Sequence, residues 1–105
     1  MSLEHRWSPR KRVSLNAVIF HRPLGLQKAK VLDIGLEGAF VAADHLKLPI
    51  PAIVILSFGF DSAGKNVIHQ MDAMVIHGKP GGYGLMFKDF KLEAFRVLKD
   101  ALYAA

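Results

Sequence analysis

Most of this chain is made of short β-type apolar runs separated by turns rich in Pro and Gly, and the first of these runs alternates with polar residues. Val13, Leu15 and Ala17 alternate with Ser14 and Asn16, the period of a strand with one buried face. His21-Arg22-Pro23-Leu24-Gly25 then breaks the run, because proline and glycine favour turns. The same logic predicts strands over 13–20, 28–34, 39–43, 53–60, 67–77 and 83–87. The run from Ile53 to Phe60 is continuously apolar, and that from Val67 to His77 is long enough to bend. Asp61 to Lys65 reads as a hairpin loop and Lys79-Pro80-Gly81-Gly82 as a turn. Leu48-Pro49-Ile50-Pro51 has two prolines one residue apart, which rules out helix and favours an extended approach to the next strand.

The period changes once. Leu92, Phe95, Leu98 and Leu102 recur at three- and four-residue spacing, with Lys91, Glu93, Arg96 and Lys99 between them. This predicts an amphipathic helix from about Asp89 to Ala104, with Asp89 as N-cap. The expected fold is mainly β: six antiparallel strands closing into a small barrel, with one C-terminal helix plugging an end or packing outside. The expected division is an arm over 1–12, a barrel over 13–88 and a helix over 89–105. With 105 residues, 51% of them hydrophobic, the chain suffices for one domain with a real core.

Composition removes several function classes. There are no cysteines, so disulfides, thiolate catalysis and cysteine-ligated metals are excluded; a reducing cytoplasm suits such a chain. No apolar run reaches the roughly 18 residues of a membrane span. His5, His21, His45, His69 and His77 are scattered without the close spacing of a metal site, although His69 and His77 stand an even number of residues apart on one expected strand. No Ser–His–Asp or paired-carboxylate pattern appears, so no enzyme activity, cofactor or metal is expected. Gly81-Gly82-Tyr83-Gly84 lacks the Lys-Ser/Thr and helix of a phosphate loop.

Charge is more informative. The formal net charge is +5, with 14 Lys and Arg against 9 Asp and Glu, and Arg6, Arg10, Lys11 and Arg12 fall within seven residues. Charge this localised suits a specific anionic ligand better than a duplex, which requires basic residues spread over a face. Arg6-Trp7-Ser8-Pro9-Arg10 offers two guanidiniums capable of bidentate contacts to phosphate or to a guanine edge. Pro9 stiffens the segment, and Trp7 either stacks on a ring or anchors the arm. About twenty residues on, Asp33-Ile34-Gly35-Leu36-Glu37-Gly38 forms a polar turn. Its glycines permit close backbone approach and an amide nest for an anion. The Asp33 carboxylate either accepts from guanine N1–H and N2–H or holds one of the arginines.

Together these residues resemble the PilZ family, a bacterial receptor module for cyclic di-GMP. Glu4-His5-Arg6-Trp7-Ser8-Pro9-Arg10 is similar to that family's E-R-R-x-x-P-R opening. Asp33 to Val41 resembles its N-L-S-x-G-G-A-F-V run, and Gly82-Tyr83-Gly84-Leu85-Met86-Phe87 its G-x-G-V-x-F strand. The resemblance spans nearly the whole chain. It implies a six-stranded barrel with a C-terminal helix, and a cytoplasmic bacterial receptor. By this resemblance Arg6 and Arg10 grip guanine and phosphate, Asp33 faces a guanine, and Gly38 closes the turn. Gly35 stands where the family has serine, so one hydroxyl contact is lost. A second alignment would give Arg12 the role of Arg10, but it leaves Ser8 in the place of the first arginine.

Three readings follow. The first is a cyclic di-GMP receptor whose arm orders on binding and signals to a partner protein. The second is a degenerate PilZ domain, a protein-interaction module of motility, pilus or biofilm systems. The third is a nucleic-acid-binding barrel; the lack of aromatics on polar strand faces weighs against it, and no DNA partner is expected.

Overall fold

The structure, a computed structural model, describes residues 10–43, 46–62 and 64–89. Arg6, Trp7 and the expected helix beyond Asp89 lie outside these residues. The described chain forms six strands: β1 (Lys11–His21), β2 (Gly25–Ile34), β3 (Gly38–Ala42), β4 (Ala52–Ser62), β5 (Lys65–Lys79) and β6 (Gly82–Asp89). They form a closed antiparallel barrel in the order β1-β2-β3-β6-β5-β4, with β4 pairing back onto β1. Closure gives each described strand a neighbour on both sides.

Alternation determines what fills the interior. Ile19 of β1, Val31 and Ile34 of β2, Val41 of β3, Val54, Leu56 and Phe58 of β4, and Met71 and Val75 of β5 are fully buried. Leu85 and Phe87 complete the core from β6. Burying one such side chain contributes about 1.5–3 kcal/mol. One margin of the barrel is tied by Tyr83, whose hydroxyl accepts from the Leu48 amide at 2.9 Å and donates to the Leu46 carbonyl at 2.8 Å. The segment around Pro49 is thereby fastened without regular secondary structure.

Every strand begins at least one residue earlier than the apolar pattern predicts, and β2 begins three residues earlier. β1 starts at Lys11 rather than Val13, and β2 at Gly25 rather than Lys28. The β2 difference has a backbone cause. His21 pairs with Gly25 and Phe20 with Leu26, so the hairpin is tight and the ladder runs right up to the turn. Leu26 is 70% exposed, and periodicity of burial cannot signal a paired stretch whose side chains face water.

A larger difference concerns β5. Even spacing places His69 and His77 on one face, but they lie on opposite faces. His69 pairs with the buried Phe58, ring centroids 6.1 Å apart. His77 is exposed and lies over Gly84 on the outside of the barrel. The cause is a register shift between Val75 and His77. One extra residue in a strand moves every following side chain to the other face.

The β3–β6 seam is unusually close. A Cβ placed on Gly38 would stand 2.1 Å from the Leu85 carbonyl oxygen, and one on Gly82 would stand 2.0 Å from that of Val41. Neither position admits a side chain while the strands keep this spacing.

Candidate functional site

Arg10 directly precedes β1, and Asp33 lies near the end of β2. The first pairs of the β1–β2 ladder, Lys11 with Ile34 and Arg12 with Asp33, bring the two ends together. Arg10 Nε donates to Asp33 Oδ1 at 2.9 Å, and Nη2 donates to the same oxygen. Arg10 Nη1 lies 3.7 Å from Glu37 Oε1. The Arg10 side chain keeps only 20% of its exposure. A partly buried charge with two donors on one carboxylate is oriented as well as attracted. Of the two uses the sequence offers for Asp33, the structure displays the grip on an arginine, and that arginine is Arg10. Arg12 is exposed beside it.

The turn between β2 and β3 is held from within. The Gly35 amide donates to the Gly38 carbonyl at 2.9 Å, and the Glu37 carbonyl accepts from the Phe87 amide at 2.8 Å. The Gly35 N–H is therefore engaged in the turn rather than turned to an anion nest. Gly38 owes its identity to the seam with β6, independently of any ligand.

Asp33 also opens a row across the outer wall. It pairs with Phe40, Phe40 with Gly84, and Gly84 with His77. These residues sit on β2, β3, β6 and β5 and project from one face. Lys79, two positions beyond His77, holds its ammonium 4.7 Å from the Phe40 ring centroid. Arg10, Asp33, Phe40, His77, Lys79 and Gly84 all line one shallow depression of about 170 Å³. Phe40, His77 and Lys79 were not candidates from the sequence. Phe40 was embedded in a motif match, and the β5 bulge conceals the outward turn of the other two.

Two larger cavities are present among the described residues, the second of them sharing Lys79 with this depression. One of about 500 Å³ borders Val18, Lys28, Ser57 and Ile68; another of about 390 Å³ borders Leu46, Ile50 and Tyr83. The first has a mostly apolar lining with one lysine, and the second has no carboxylate. Of these three cavities among the described residues, the smaller depression is the one that combines a carboxylate, an arginine, a lysine and aromatic rings, the set that nucleotide recognition uses. Among the described residues, no cluster of His, Asp or Glu could hold a metal ion, and no helix is long and apolar enough to cross a membrane.

The architecture is that of the PilZ domain. Neither a family model nor a curated protein matches the sequence, so the likeness rests on solved structures. The chain is similar to the crystal structure of the PilZ domain of CeSA from a cellulose-synthesizing bacterium, with a TM-score of 0.69 and 18% identity over 91% of this chain and 96% of that one. It is similar to MotI/DgrA, the Bacillus subtilis inhibitor of motility, with a TM-score of 0.79 and 15% identity over 95% of this chain and 50% of that one. A Legionella protein described as uncharacterized follows, with a TM-score of 0.56 and 17% identity over 90% of this chain and 89% of that one. Identities this low establish a shared fold.

Proposed function

We propose that this chain is a receptor module for cyclic di-GMP, acting by binding rather than catalysis in the bacterial cytoplasm. The observation that carries the reading is the Arg10–Asp33 pair, set at the rim of an outward depression on a PilZ-type barrel. Arg10 has its guanidinium already oriented, so little side-chain entropy is lost when a phosphate or guanine edge arrives. Asp33 uses one carboxylate oxygen for Arg10, and a carboxylate has acceptor capacity on both oxygens. The depression is smaller than the roughly 300 Å³ at which ligand-enclosing pockets begin. The described residues therefore supply a floor, and the proposal assigns the cover to Arg6 and Trp7. Binding would order the arm over the ligand, and a partner protein would read the covered surface.

Calorimetric titration with cyclic di-GMP tests this. Binding in the micromolar range or weaker is expected; absence of both heat and thermal stabilisation at saturating ligand would falsify the receptor reading. Gly35→Ser is expected to tighten binding about twofold to a hundredfold, the range of one restored hydrogen bond. An unchanged affinity would show that Gly35 is not a missing contact.

A specific observation favours the interaction-module reading as the second. Ile53, 54% exposed, pairs with Met74, which pairs with Met86, 42% exposed. The outer wall thus carries an apolar row, a feature of protein-binding surfaces. This reading would survive a failed titration.

A further inference from the structure

The Arg10–Asp33 end of the depression accounts for only part of what lines it. Three inter-strand steps separate Asp33 on β2 from His77 on β5, about 14 Å at the usual strand spacing. That is longer than one nucleobase and long enough for two joined nucleotides. Gly84, midway along the row, has no side chain, and the His77 ring occupies the space above it: a Cβ there would come within 2.4 Å of the imidazole. The ring therefore lies down on the sheet, with its other face toward solvent. Beside it, Phe40 fixes Lys79 by a cation–π contact, which confines an otherwise mobile ammonium.

We propose that His77 and Lys79 form the second half of a two-ended site, His77 stacking the second planar base of a cyclic dinucleotide and Lys79 neutralising the adjacent phosphate. This rests on the reading of Arg10–Asp33 as a nucleotide site and extends it to a division of labour. One end recognises a base edge by charge-assisted hydrogen bonds. The other holds a base by its face and is therefore tolerant of base identity. Gly84 is required so that the platform can lie flat.

The test is titration of the wild type, His77→Ala, His77→Phe and Lys79→Ala with cyclic di-GMP over a series of salt concentrations. His77→Ala should weaken binding about tenfold, the effect of removing one stacking partner, and His77→Phe should restore most of it. Lys79→Ala should weaken binding about fivefold and reduce the salt slope by about one. Both side chains are exposed, so ligand-free melting should not change and any loss reads as lost contact. Wild-type affinity in both alanine variants, with normal wild-type binding, overturns the second half and leaves the Arg10–Asp33 reading standing. No binding by the wild type overturns both.

Discussion

Gly38→Ala is expected to lower the unfolding midpoint by about 10–20 °C. The new methyl would sit 2.1 Å from the Leu85 carbonyl oxygen and 3.2 Å from its carbonyl carbon. The obstacle is backbone, which cannot rotate aside, so β3 and β6 would have to separate. Overpacking a close contact costs about 1–3 kcal/mol, occasionally more, and a main-chain obstacle places this case near the upper end. In a domain of this size each kcal/mol moves the midpoint by about 4–8 °C. Gly84→Ala makes the internal comparison: the atoms nearest its methyl belong to the exposed His77 ring, which can swing out, so the midpoint should change little. Equal melting of Gly38→Ala and the wild type would show that the seam is looser than described. The result also bears on function, because ligand loss in a Gly38 variant would report folding rather than contact.

Arg10→Ala is expected to weaken cyclic di-GMP binding about 30- to 100-fold. Hydrogen bonds to charged groups contribute about 1.5–3 kcal/mol each, and 1.4 kcal/mol is one decade of affinity. Asp33→Ala should cost a similar factor for two reasons: it removes a ligand acceptor, and it releases the Nε and Nη2 donors that orient Arg10. Because the residues act as a unit, the double variant should bind only slightly more weakly than either single one. Calorimetry on all four proteins reads the cycle. Strictly additive losses would mean that Arg10 and Asp33 contact the ligand independently. No loss in either single variant would remove the pair from the site.

Short apolar runs punctuated by Pro and Gly turns, the first of them alternating with period two, were enough to read a six-stranded barrel. Arg10, Asp33 and Gly38 stood out for the chemistry of their side chains or the lack of one. His77 and Lys79 did not, and the reason is specific. Alternation counted from Met71, Ala73 and Val75 points His77 inward, and only the register shift beyond Val75 turns it out. A bulge has no composition of its own, so the outer row remains hidden until pairing is known. Ladder ends were also hidden: Gly25 to Gln27 pair by backbone geometry, with an exposed leucine between them. The Asp33 grip on Arg10 was one of two stated alternatives, because choosing between them requires knowing that the start of β1 runs against the end of β2. Gly38 had a family reading as a turn glycine; its steric reason belongs to β6, far away in the sequence.

The strand order carries a topological consequence. Parted at β3–β6, the barrel becomes an open ribbon with those two strands as its borders. Such borders bear unpaired amides and carbonyls that other chains can join. The row from Asp33 to His77 runs over this join, so a molecule lying along it would act as a clasp, and occupancy would be coupled to how readily the protein self-associates.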